Sequence, residues 1–171
     1  SGLPGGQPLL PPIALTDELT GLSSAFATMV ALHSGVGQVV DVSLVESLLQ
    51  LMSPLVTLYG LTGELQERLG AGLPYSVPRG TYRCADGEWV GLSTSSESVA
   101  DRVLRVLGVQ DDPRFVDFAS RMRHRVELEQ IMTSWCAARP RDEVIATFTA
   151  AEAAIGPVMT MADVASDEHF R

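Results

Sequence analysis

Lysine is absent from this chain: all 12 of its basic residues are arginine, against 21 acidic residues, and the formal net charge is −9. That balance lacks the basic patch on which nucleic-acid binding depends, so no nucleic-acid partner is expected. An anionic ligand has to be met by individual arginines, by backbone N–H groups at helix starts, or by another chain. Cysteine is scarce too. Cys84 and Cys136 stand in unrelated contexts with neither metal-ligand nor redox spacing, and a reducing, cytoplasmic compartment is expected. No apolar run approaches the ~20 residues of a membrane span, and no basic start precedes an apolar core as in a signal peptide. Neither a membrane partner nor a metal site is therefore expected. What is present is a chain of 171 residues, 46% of them hydrophobic, enough for one ordinary packed domain or two small ones.

Three Gly and four Pro keep residues 1–12 out of any helix. From Thr20 to about His33, the apolar residues Leu22, Phe26, Met29, Val30 and Leu32 predict a largely buried helix, stopped by Gly35. The β-branched run Gln38–Val42 predicts a strand, and Ser43 with Glu46 has the form of a capping box opening a helix that Pro54 kinks or restarts. Leu61 to Pro78 is rich in Gly and Pro and reads as a linker. The expected division is residues 1–70 and 71–171. In the second part, β-type runs around Asp86-Gly87 predict a hairpin. Helices are expected over Ser95–Leu107, Asp111–Phe118, His124–Ala138 and from Pro140 to about Glu152. A short strand at Ala154–Val158 and a last turn at Met161–Ala165 complete the reading.

One carboxylate is singled out by its setting. The apolar run Pro11–Leu15 delivers Asp17 to a Thr-Asp-Glu-Leu-Thr-Gly turn at the mouth of the first helix, where Thr or Asp ordinarily serves as N-cap. Glu18 reads as a solvated first-turn carboxylate and Asp41 as a turn or interface residue. His33, His124 and His169 sit at helix edges without metal spacing. The glycines of Gly35-Val36-Gly37-Gln38 are too few for a phosphate loop.

Taken together, these segments resemble the class III CoA-transferases, a family that includes formyl-CoA transferase, the carnitine and bile-acid CoA-transferases and alpha-methylacyl-CoA racemase. The resemblance is carried by Asp17 before Gly21 and its helix, and by Gly37-Gln38-Val39-Val40-Asp41-Val42-Ser43-Leu44 with Glu46-Ser47-Leu48. It continues through Tyr82–Val90 around Ala85-Asp86-Gly87, Asp111-Asp112-Pro113-Arg114-Phe115, Ile155-Gly156-Pro157-Val158 and Asp167-Glu168-His169-Phe170-Arg171. Besides the Asp17 turn, five elements in the family's order make a specific match. Two departures stand out. The His33–Gly37 connection is shorter than the family's, and family members carry a long nucleotide-fold portion before the Asp and a further segment at the end. A fragment or split subunit is the expectation.

The resemblance implies an α/β fold, with a segment of a Rossmann-like large domain followed by an α+β small domain. It implies transfer of CoA from an acyl-CoA thioester to a carboxylic acid, with CoA and acyl-CoA as substrates and no permanently bound cofactor. Asp17 falls on the family's catalytic carboxylate. Tyr75 and Tyr82 are candidates to line the acyl site, with packing as the ordinary alternative for each. Arg79 and Arg83 are candidates to meet a phosphate or carboxylate, with solvent exposure as theirs. The family's racemase branch needs a second acid/base upstream of the Asp, and no titratable residue precedes Asp17 here, which favours transfer. The family's interlocked dimers imply a homodimer or heteromer; a non-catalytic subunit that requires a partner chain is the reading of another class.

Overall fold

The computed structural model describes residues 2–52 and 54–171 and divides into two compact units, Ser1–Arg68 and Leu69–Arg171. The first unit holds three helices, α1 (Leu15–Ser34), α2 (Leu44–Met52) and α3 (Leu55–Thr62), with no strand among its described residues. α1 begins five residues earlier than the apolar periodicity predicts. Pro11 and Pro12 end the irregular lead, and Thr16, Thr20, Ser23 and Ser24 do not break the helix. The last three of these hydroxyls each bond the carbonyl four residues back, at 2.7–2.9 Å. Gly35, at φ 68°, closes α1 by donating its N–H to the Leu32 carbonyl.

Two further expectations fail in this unit. Residues 38–42 are irregular rather than a strand, because β propensity yields a strand only where a neighbour supplies a ladder, and here none does. No residue of α1 is buried, against the largely buried helix predicted: Phe26 is 72% and Leu22 70% exposed. A helix face is buried only by another layer; α2 packs against α1, yet among the described residues it covers no α1 residue fully. The Ser43 cap is half made, with a long 3.5 Å bond from the Glu46 N–H. Pro54 restarts the chain as α3; Ser53 lies outside the described residues.

The second unit packs helices on one face of a three-stranded antiparallel sheet in the order β1 (Gly80–Arg83), β2 (Trp89–Ser93), β3 (Ala154–Pro157). Its helices are α4 (Glu97–Leu107), α5 (Phe118–Arg123), α6 (Arg125–Ala137), α7 (Arg141–Ala150) and α8 (Met161–Ser166), followed by a 3-10 turn at Glu168–Phe170. Strand alternation sends Tyr82, Val90 and Leu92 inward to meet Val103, Met132, Cys136, Val144 and Phe148 in the main core. A second cluster joins Val77, Leu104, Phe115 and Leu128. The buried Arg121 donates to the Glu97 carboxylate at 2.6 Å and the Phe115 carbonyl at 3.3 Å, while its Nε has no partner among the described residues.

The Asp-Asp-Pro-Arg-Phe stretch is a turn rather than the expected helix. Asp112 accepts the backbone N–H of Arg114 at 2.9 Å and its guanidinium at 2.6 Å, which fixes the loop locally while Phe115 is driven into the core. Helix α5 then starts on Asp117, whose side chain caps the Ser120 N–H at 2.7 Å. The hairpin turn is tied to a distant helix. Asp86 accepts the Arg141 backbone N–H at 2.8 Å at the start of α7, and Arg141 pairs with Glu88 at 3.0 Å.

These bonds set a pH dependence. The Arg114 guanidinium holds the Asp112 carboxyl down at about 2. Asp86 is lowered by the Arg141 N–H, Asp117 by the Ser120 N–H and Asp163 by the Thr160 hydroxyl. A carboxyl depressed in the folded state stabilises above its ordinary pKa and loses that contribution as pH falls through the folded value. The Tm is therefore expected to hold down to about pH 4 and to fall between about pH 4 and 2. In a circular-dichroism series, Asp112→Asn should flatten the lower part of that fall; a Tm that stays level or rises below pH 4 would contradict these assignments.

Burial pushes the Cys136 thiol up to about 12 and raises Cys84 as well. Both are free and buried in the main core. Neither is expected to react with a water-soluble aromatic disulfide until the unit is unfolded in denaturant. Prompt labelling of the native chain at either position would show that the core opens.

Candidate functional site

Asp17 occupies the first turn of α1, not a turn preceding it, and neither Thr16 nor Asp17 caps the helix. The N-cap is Ala14, which makes no side-chain cap bond. The Asp17 carboxylate is exposed and, among the described residues, makes no hydrogen bond or ion pair. The ordinary explanation of an Asp at this point, capping, is therefore not what this one does. It stands where the unpaired N–H groups and the positive end of the helix dipole favour a negative charge. Glu18 shares this turn and is exposed as well.

The other candidates lie in the second unit. Tyr75 is 59% exposed. Tyr82 is in the main core, where its hydroxyl donates to Glu129 Oε2 at 2.7 Å, and burial holds the phenol far above its usual range. Glu129 Oε1 accepts the backbone N–H of Arg79 at 3.1 Å. Tyr82 and Arg79 are thus brought together through one carboxylate on α6, which the sequence reading did not single out; mid-helix, Glu129 looks like any solvent-facing acid. The Arg79 guanidinium has no partner among the described residues. Arg83 Nε donates to the Gly87 carbonyl at 3.3 Å, bracing the hairpin turn. Asp17 belongs to one unit and Tyr75, Arg79 and Tyr82 to the other.

A mixed helix-and-sheet chain with an uncapped, unpartnered Asp at the head of its first helix matches the sequence pattern of CoA-transferase family III over residues 1–171. The chain belongs to that family. It is 32% identical to the alpha subunit of succinyl-CoA–L-malate CoA-transferase of Chloroflexus aurantiacus, over 99% of this chain and 42% of that protein. It is 31% identical to the succinyl-CoA–D-citramalate CoA-transferase of the same organism, over 99% and 44%. With the succinate–glutarate CoA-transferase of Agrobacterium fabrum it shares 30% identity over 98% and 43%. The chain thus spans less than half the length of the curated relatives it matches. In fold it resembles a CaiB/BaiF family protein from Brucella suis, with a TM-score of 0.72 at 24% identity over 99% of this chain and 47% of that one. It also resembles Rv3272 from Mycobacterium tuberculosis, with a TM-score of 0.78 at 21% identity over 99% and 46%.

Proposed function

We propose that this chain carries the catalytic carboxylate of an acyl-CoA:carboxylate CoA-transferase, with Asp17 as nucleophile. The observation that carries the reading is the state of Asp17, exposed at a helix start with no structural bond to explain it. The names of the relatives, all CoA-transferases acting with small dicarboxylic acids, support the substrate class. A carboxylate suits the work because it is ionised at neutral pH and becomes a good acyl carrier once activated.

The steps balance without an external reagent. An Asp17 oxygen attacks the thioester carbonyl and expels CoA thiolate, leaving an acyl-aspartyl anhydride. The thiolate attacks the aspartyl carbonyl, releasing the donor acid and leaving an aspartyl-CoA thioester. The acceptor carboxylate attacks that thioester, again expelling thiolate and forming a second anhydride. Thiolate attack on the acceptor's acyl carbon then yields the new acyl-CoA and regenerates Asp17. The N–H groups at the start of α1 favour the carboxylate and the oxyanions that develop beside it.

The exposed apolar side chains of α1, α2 and α3 support a requirement for further protein, either another copy or a different subunit. The alpha and beta subunit names of two relatives point the same way. The test of the nucleophile is chemical. The protein is mixed with succinyl-CoA, quenched with hydroxylamine, and its peptides are mapped by mass spectrometry. Hydroxamate on Asp17 is the expected product; hydroxamate on any other residue, or on none in an actively transferring preparation, would remove Asp17 from the role.

A further inference from the structure

The outer face of the second unit's sheet, opposite the core, carries a cavity of ≈ 350 Å³ whose lining includes Arg79, Thr81, Gly91, Ser93, Ile155 and Gly156. Its floor is backbone. Thr81 stands opposite Gly91, and Gly91 opposite Gly156, so one row across all three strands presents almost no side chain. Because Val90 and Leu92 point into the core, Gly91 faces the other way. A Cβ placed on Gly91 or on Gly156 would meet nothing within 4 Å. The row is open space above a flat strand surface.

Arg79 is the one charged residue in this lining, and no carboxylate shares it. Arg102, Arg114, Arg121, Arg139 and Arg141 each pair with an acidic side chain; the Arg79 guanidinium, like those of Arg105 and Arg125, pairs with none among the described residues, and of these three it is the one that lines the cavity. Glu129 lies close by but is spent elsewhere: one oxygen holds the Arg79 backbone N–H and the other the Tyr82 hydroxyl. It therefore pins the main chain of Arg79 through a core tyrosine and leaves the guanidinium free.

We propose that this cavity binds a short aliphatic dicarboxylate, one carboxylate seated on Arg79, and that Glu129 is the positioning residue for that arginine. The guanidinium fork matches a carboxylate with two parallel N–H···O bonds. The Thr81 and Ser93 hydroxyls are the other side-chain polar groups of the lining, and the glycine floor gives a short carbon chain room to lie against backbone. A single cation without a helix start beside it suits a carboxylate better than a phosphate cluster, which draws several donors. The proposal rests on the transferase reading for its choice of acid, but binding can be read without turnover.

The experiment is a two-dimensional nitrogen–proton NMR titration of the chain, following the Arg79 Nε–Hε resonance. Succinate is expected to shift it saturably, and its uncharged analogue succinamide to leave it in place. Gly156→Val puts a β-branched side chain into the open row, at a position where a Cβ meets nothing within 4 Å. It should weaken succinate binding at least about tenfold while the Tm is kept. Glu129→Ala should weaken binding by a similar factor, and Glu129→Gln, which keeps an acceptor for the Arg79 N–H, should restore most of it. Three results would overturn the proposal: no shift with succinate, a shift that Gly156→Val leaves unaltered, or a response to adenosine 3′,5′-bisphosphate in place of succinate. The hydroxamate map of Asp17 reports separately on the transferase reading, so failure of one is told apart from failure of the other.

Discussion

Asp17→Asn is expected to lower CoA transfer at least about 10³-fold while leaving the protein folded. The substitution keeps the shape of the side chain and removes only the charge and the nucleophilic oxygen pair. No hydrogen bond is lost, because among the described residues the Asp17 carboxylate makes none. What remains is a weaker interaction with the start of α1, a small and salt-dependent effect at an exposed position. Initial rates of transfer from succinyl-CoA to a dicarboxylate acceptor, measured on the assembled protein beside a thermal melt, separate chemistry from stability. Glu18→Gln is the matched control: the same turn and exposure, with near-normal transfer expected. Equal losses in the two variants would mean that the turn needs negative charge rather than a nucleophile.

The largest expected effect on stability is at Phe148. Its side chain is fully buried in the main core, and its ring meets Trp135 edge to face with centroids 5.1 Å apart. Phe148→Ala removes the buried ring and leaves a void that helix and sheet close only in part, a loss of about 3–5 kcal/mol. That is a large share of the roughly 5–15 kcal/mol that holds a typical domain together. The expected result in urea is a second unit with a much lower midpoint and an unchanged slope. Phe118→Ala, at a ring that is 42% exposed, should move the midpoint far less. Comparable shifts at the two sites would contradict the placement of the core.

Local punctuation in the sequence carries much of the second unit. Asp86-Gly87 marks the hairpin, Ser96 caps α4 through the Val99 N–H, and Gly108 closes it at φ 73°, all from chemistry confined to a few neighbouring residues. Where the sequence misleads, the deciding partner is absent or remote. The run at 38–42 has strand propensity but no strand beside it. The helix signal at Asp111–Phe118 loses to Asp112 bonding Arg114 and to the burial of Phe115. The start of α1 is displaced because hydroxyls that favour turns elsewhere turn inward to bond their own helix.

The site divides in the same way. The setting of Asp17 is a local string and is legible, whereas its lack of a capping role is visible only once the N-cap is placed on Ala14. Tyr82 looks like a site residue in a motif and Asp86 like a plain turn residue, yet one is tied to Glu129 and the other to Arg141, partners far along the chain. Glu129 itself carries no sequence signal at all. Its significance arises only when α6 is laid beside β1.

The order of the strands also has a consequence for how the polypeptide is made. β2 pairs with β1 at once through a short turn, but its other edge is completed by β3, which follows four helices, α4 to α7. During synthesis from the N-terminus, the hairpin therefore waits with one row of backbone N–H and C=O groups unpaired, and the long closure makes that pairing slow. A nascent chain stalled before Ala154 would present this row to its neighbours on the polysome, the geometry by which strands of separate chains add to one another.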